Sequence, residues 1–131
     1  MAKSLKQIYE RDSQFMSGIS THVLDTSLGL PAAGIQVTLE REAPDDYAAP
    51  WIHCVTGATD ADGRCKPLLA AEKVFAGTHR LHFATAPYFA ALELPTLYPE
   101  ITITFLVAAD GASYHIPLLL SPFGYTTYRG T

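Results

Sequence analysis

Four side chains spread along the sequence could together carry acid–base and oxyanion chemistry: His22, Arg64, His115 and Arg129. Two imidazoles can position a water and take its proton near neutral pH. Two guanidiniums bind oxyanions and polarise carbonyls. The set would suit a small anionic or amide-rich molecule, and chemistry of that kind needs no metal and no cofactor. His115 lies in the stretch Ser113–Thr131, SYHIPLLLSPFGYTTYRGT, which reads as a strand, a Ser-Pro break, a second strand and then Tyr128-Arg129-Gly130-Thr131. An aromatic, a guanidinium, a glycine and a hydroxyl directly after a β-like run are of use in an end folded back into a site and of none in a frayed tail. Pairing the two strands as a hairpin brings imidazole and guanidinium into one neighbourhood, without fixing the face either occupies.

Other motifs offer less. Of the five histidines, His79 and His82 are three apart in a predicted strand, so they point to opposite faces and do not share a metal. His53 stands in an apolar run beside Trp51 and Cys54 and reads as structural. No G-x-S-x-G elbow and no Gly-rich phosphate loop occurs. Asp60-Ala61-Asp62-Gly63 looks like half of a calcium loop but lacks the closing Glu, so it reads as a tight hairpin turn. The two cysteines, Cys54 and Cys65, are too few for a disulfide framework or a tetrahedral zinc site. Reduced thiols are the expectation, a single bridge the alternative.

The elements that must position these residues are mostly strands. The 131 residues suggest one domain, long enough to bury a core unaided. Charged residues make up only 17% against 48% hydrophobic, which predicts that a partner subunit covers part of the surface. A net charge of −4 argues against nucleic acid as a partner, and no apolar run is long enough to span a membrane. Residues 1–16 form a leader without Gly or Pro up to residue 15, where Leu5, Ile8 and Phe15 could share one face of a short helix; it lacks the apolar core of a signal peptide. From residue 17 onward the pattern is β. Strands are predicted at 18–24, 35–41, 51–59, 64–69, 77–86, 100–108, 113–120 and 123–128, with a bulge suggested by Gly57 and a short helix from Pro87 to about Leu94. Eight short strands with frequent turn signals predict an all-β, two-sheet antiparallel sandwich. Leu118, Leu119 and Leu120 cannot all face one core, so at least one should meet another subunit.

Three motifs then carry a resemblance. Ser20-Thr21-His22-Val23-Leu24-Asp25-Thr26 with Gly29-Leu30-Pro31-Ala32 resembles the opening of the 5-hydroxyisourate hydrolases, the transthyretin-related enzymes. Thr59-Asp60-Ala61-Asp62-Gly63-Arg64 resembles their central turn, and Tyr114-His115-Ile116-Pro117-Leu118-Leu119-Leu120-Ser121-Pro122 with Tyr125-Thr126-Thr127-Tyr128-Arg129-Gly130 their closing signature. The resemblance implies a transthyretin-like sandwich assembled as a homotetramer, a dimer of dimers, with active sites between dimers. It implies hydrolysis of 5-hydroxyisourate to 2-oxo-4-hydroxy-4-carboxy-5-ureidoimidazoline in urate catabolism. His22, His115 and Arg64 would be catalytic; Arg64, Tyr128, Arg129, Gly130 and Thr131 would bind substrate. Which histidine is the base stays open. Thr131 departs from the family's Ser: it keeps a hydroxyl but adds a methyl in a tight cleft. A carrier of aromatic molecules on the same fold is the rival reading. Cytosol is the default compartment; relatives can be peroxisomal, but the final three residues are not Ser-Lys-Leu.

Overall fold

The computed structural model describes residues 18–131. The leader and its suggested helix lie outside the described residues. The elements run β1 (Ile19–Asp25), β2 (Leu30–Pro31), β3 (Gln36–Glu42), β4 (Trp51–Ala58), β5 (Arg64–Leu69), a 3-10 turn (Ala71–Lys73), β6 (Gly77–Ala84), α1 (Ala86–Ala91), β7 (Ile101–Val107), β8 (Tyr114–Ser121) and β9 (Gly124–Thr127). They build two sheets. One has the order β2-β1-β8-β9, with β5 also paired to β1; the other has the order β4-β3-β6-β7. This is the expected all-β sandwich, and every predicted strand is present.

Alternation builds the core. Ile19, Thr21, Val23 and Asp25 of β1 and Tyr114, Ile116, Leu118 and Leu120 of β8 turn inward, against Val37, Leu39, Leu81 and Phe83 of the facing sheet. Each fully buried Leu, Ile or Phe contributes about 1.5–3 kcal/mol. Leu119 is the one residue of the leucine triplet that turns outward and stays partly exposed. His79 is buried at 1% exposure while His82 faces out and pairs with Glu100, as their spacing requires.

Four details differ from the sequence reading. The pair β1–β8 is parallel, not antiparallel. A parallel pair needs a long crossover, and nearly the whole domain supplies it here. The bulge in β4 falls at Cys54, where the β3 register shifts between Leu39 and Glu40. Gly57 pairs regularly with Val37; its missing side chain makes room for Leu68, whose Cδ1 would lie 3.3 Å from a Cβ there. The helix stops at Ala91, because Phe89 is its single buried anchor and Glu93 already has a φ of 56°. The two-residue strand β2 was hidden in a turn-like stretch.

Asp25 closes β1 from inside. It is fully buried, yet its carboxylate accepts from Ser27 N–H (3.0 Å), Ser27 Oγ–H (2.6 Å), Leu28 N–H (3.2 Å) and Tyr88 O–H (2.6 Å). Burial alone would push its pKa up. The four donors outweigh that and hold it below the usual carboxylate range, while burial first, and then the Asp25 carboxylate, push the Tyr88 phenol up.

Candidate active site

Three adjacent strands place the first three predicted residues together. In the antiparallel pair β1–β5, His22 stands opposite Arg64; in the parallel pair β1–β8, Ser20 stands opposite His115 and His22 opposite Pro117. Since Ile19, Thr21 and Val23 face the core, Ser20 and His22 occupy the outer face. His115, between the inward Tyr114 and Ile116, shares that face.

The Asp60–Gly63 turn fixes Arg64. Asp60 Oδ1 accepts from the backbone N–H of Asp62 (2.9 Å) and of Arg64 (3.0 Å), an Asx-type turn. Gly63 has φ +76°, and a Cβ on it would lie 2.3 Å from the Val23 carbonyl oxygen. Glycine is therefore required on two counts, conformation and space. Its absent side chain lets the turn lie against β1, where Val23 N–H donates to the Gly63 carbonyl at 2.7 Å. His22 is tied to the same turn: its Nε2 is 2.9 Å from the Asp62 carbonyl oxygen.

His115 is held from two sides. Its Nδ1 lies 2.8 Å from Ser20 Oγ, and its carbonyl accepts from Gly130 N–H at 2.8 Å. The strand partner Gly130 is obligatory for contact reasons, since a Cβ there would meet His115 Cδ2 at 2.5 Å. Ser20 was missed by the sequence reading. Its signal was present: it sits two residues before His22, on the same face of the same strand.

The final residues divide. Gly130 bridges His115, so by alternation Arg129 turns the other way. Its guanidinium carbon lies 4.5 Å from the centroid of the inward Tyr114 ring, and an N–H reaches the Ser113 carbonyl at 3.4 Å. Within one chain, Arg129 is therefore not on the face that joins His22, Arg64 and His115. It meets His115 only around the end of the sheet, where a cavity of about 440 Å³ is lined by Ala112, Ser113, His115, Arg129, Gly130 and Thr131. Tyr128 lies outside that cavity, half exposed along a neighbouring apolar groove with Ile103, Phe105, Tyr114 and Ile116.

Electrostatics favour neutral imidazoles. Burial, then the Arg64 charge, hold His22 below its ordinary pKa, against a smaller opposing pull from the Asp62 carbonyl. Burial, then Arg64, then His22 and Lys66, do the same to His115. A neutral imidazole is the form that can accept a proton, and the guanidinium beside it can meet a developing negative charge. Cys65 is buried with its thiol pushed up to about 11, and both cysteines are free, so neither offers a ready thiolate nucleophile. Among the described residues, no three His, Cys, Asp or Glu side chains cluster as metal ligands would, and no helix is long and apolar enough to cross a membrane.

Comparison with known proteins gives a consistent picture. A family model described as the HIUase/Transthyretin family matches residues 19–130. The 5-hydroxyisourate hydrolase of Mus musculus is 41% identical over 116 residues, covering 88% of this chain and 96% of its own length. The solved 5-hydroxyisourate hydrolase of Klebsiella pneumoniae superposes with a TM-score of 0.73 at 33% identity, covering 88% of this chain and 94% of that one. Transthyretin from Sparus aurata superposes with a TM-score of 0.79 at 27% identity, covering 86% and 95%.

Proposed function

Since the chain belongs to the HIUase/Transthyretin family, we propose that it hydrolyses 5-hydroxyisourate, a step of urate catabolism, at the outer face shared by His22, Arg64 and His115. The observation that carries this reading is the juxtaposition of two imidazoles with one guanidinium whose charge bears on both. One imidazole takes a proton from the attacking water. Arg64 binds the ring carbonyl oxygen and stabilises the oxyanion, a donor role of the kind worth roughly 2.7–4 kcal/mol of barrier. Arg129 and Thr131 bind substrate oxygens from the rim of the cavity beside His115, and Gly130 keeps the backbone close to the ring. Tyr128 serves as an outer wall where subunits meet.

The assembly proposed with it is a homotetramer. Strands β7 and β9 end their sheets without a further partner among the described residues, and Leu106 on β7 is 75% exposed. Uncovered edges of this kind favour pairing between copies. Leu119, outward on β8, is a candidate for the contact between dimers.

A carrier reading rests on the slightly better superposition with a transthyretin than with a hydrolase. Fold likeness does not separate the two activities. A carrier site suits an apolar lining, whereas His22, Arg64 and His115 make a polar, basic face. The test is the decay of ultraviolet absorbance of freshly generated 5-hydroxyisourate. Hydrolysis should exceed spontaneous decay, and His22→Gln and His115→Gln should each lose about 10²-fold or more. Wild-type protein that leaves the decay unchanged while binding an aromatic ligand tightly would establish the carrier instead.

A further inference from the structure

We infer that Ser20 is a positioning residue that holds His115 in the tautomer bearing its proton on Nε2, so that His115 donates a hydrogen bond to the substrate and proton abstraction falls to His22. The inference deepens the proposed hydrolysis and rests on it for the chemical roles, but the hydrogen-bond assignment stands on geometry alone.

Ser20 is 2% exposed, and its Oγ lies 2.8 Å from His115 Nδ1. A hydroxyl carries one proton that must find an acceptor, and leaving a buried donor unpaired is more costly than leaving a lone pair unpaired. The two possible arrangements therefore differ. If His115 Nδ1–H donated to Ser20, the serine proton would need a second acceptor, and the His115 ring is the only side-chain partner Ser20 Oγ has among the described residues. If Ser20 donates to Nδ1, both groups are satisfied by one bond. The neutral ring must then carry its proton on Nε2.

His22 has the complementary constraint. A carbonyl oxygen only accepts, so the 2.9 Å contact with Asp62 O requires the proton on His22 Nε2. Neutral His22 is left with a free lone pair on Nδ1. The two rings thus have different capacities from their partners alone: His115 offers an N–H, His22 a lone pair. In the hydrolysis, His22 Nδ1 takes a proton from water as the water oxygen bonds to the ring carbonyl carbon. The carbonyl electron pair moves onto its oxygen, which is met by His115 Nε2–H and Arg64. As that pair re-forms the carbonyl, the ring C–N bond breaks, and the departing nitrogen receives the proton held by His22. Water is consumed, and neither ring changes its net protonation.

The test reads the ring nitrogens directly. Protein labelled with ¹⁵N in histidine, full chain and without ligand, is examined by long-range proton–nitrogen correlation at a pH where both rings are neutral. His115 should show an unprotonated Nδ1 and a protonated Nε2, with His22 also protonated on Nε2. Ser20→Ala should release His115 into a mixture of tautomers and lower kcat about tenfold with KM changed less than about twofold, and Ser20→Thr should restore a single tautomer and most of the rate. A His115 ring protonated on Nδ1 in the wild type overturns the inference, with or without foldable variants. Activity absent from a wild type whose rings have the expected tautomers would refute the hydrolase reading while leaving Ser20's role established.

Discussion

Gly130→Ala should impair turnover without unfolding the protein. The added Cβ would lie 2.5 Å from His115 Cδ2, 3.3 Å from His115 Cγ and 3.2 Å from Pro117 Cγ. Carbon atoms not bonded to each other sit at about 3.5–4.0 Å, so one partner has to move by roughly an ångström. Gly130 is bound to β8 by a backbone hydrogen bond, and Pro117 is itself packed in the strand. The His115 ring is the softer member, since it can swing about its side-chain torsions. A swing of that size breaks the 2.8 Å contact with Ser20 Oγ and misaims the imidazole. Displacements near 1 Å at a reacting group cost about 10²-fold in rate, so kcat/KM should fall by about two orders of magnitude. Stability should change by less than about 1 kcal/mol, since the residue lies outside both sheets' cores. Substrate decay followed by ultraviolet absorbance gives the rate, and a urea titration gives the stability. Wild-type kcat/KM in a folded Gly130→Ala protein would refute the claim that the Gly130 contact sets the imidazole's position.

The remaining predictions concern charge and the buried carboxylate. His22 and His115 are both held below the ordinary imidazole value of 6.5, so the acid limb of kcat/KM should lie below that pH. Arg64→Gln should move the limb up toward 6.5, part of the way only, because burial is the larger cause; a limb that stays put would remove Arg64 from the electrostatics. Stability follows the same sign. Above pH 6.5 neither ring carries a penalty; as pH falls below it the unfolded chain takes protons first, and stability drops until the folded rings titrate too. Tyr88→Phe should cost about 1.5–3 kcal/mol in a urea titration at neutral pH, because it strips the 2.6 Å donor from buried Asp25 Oδ2. The folded pKa of Asp25 is depressed, so its contribution is present above about pH 3.8 and fades as pH falls through the folded value; the gap between variant and wild type should narrow there.

The strands were legible because their signal is local. A strand such as Gln36–Glu42 alternates residue by residue, and the Asp-Ala-Asp-Gly turn needs only its own four residues to be read. What was not legible depends on pairing partners far away in sequence. The parallel registry of β1 with β8 joins positions 95 apart, Ser20 with His115, and nothing within either strand announces its direction relative to the other. Its spacing from His22 puts Ser20 on the right face of β1, but the contact that gives it a role comes from His115 on the strand opposite. Arg129 is the instructive case. A hairpin does bring the closing residues back to His115, but the register that sets Gly130 opposite His115 also sends the side chain of residue 129 to the opposite face, onto Tyr114. A glycine opposite the imidazole and a guanidinium opposite the imidazole are thus mutually exclusive in this hairpin. The close approach of Gly130 to the ring requires that no side chain stand there. So within one chain the arginine meets His115 only around the sheet's end, and Arg64, delivered by a different turn, is the guanidinium that the face itself provides.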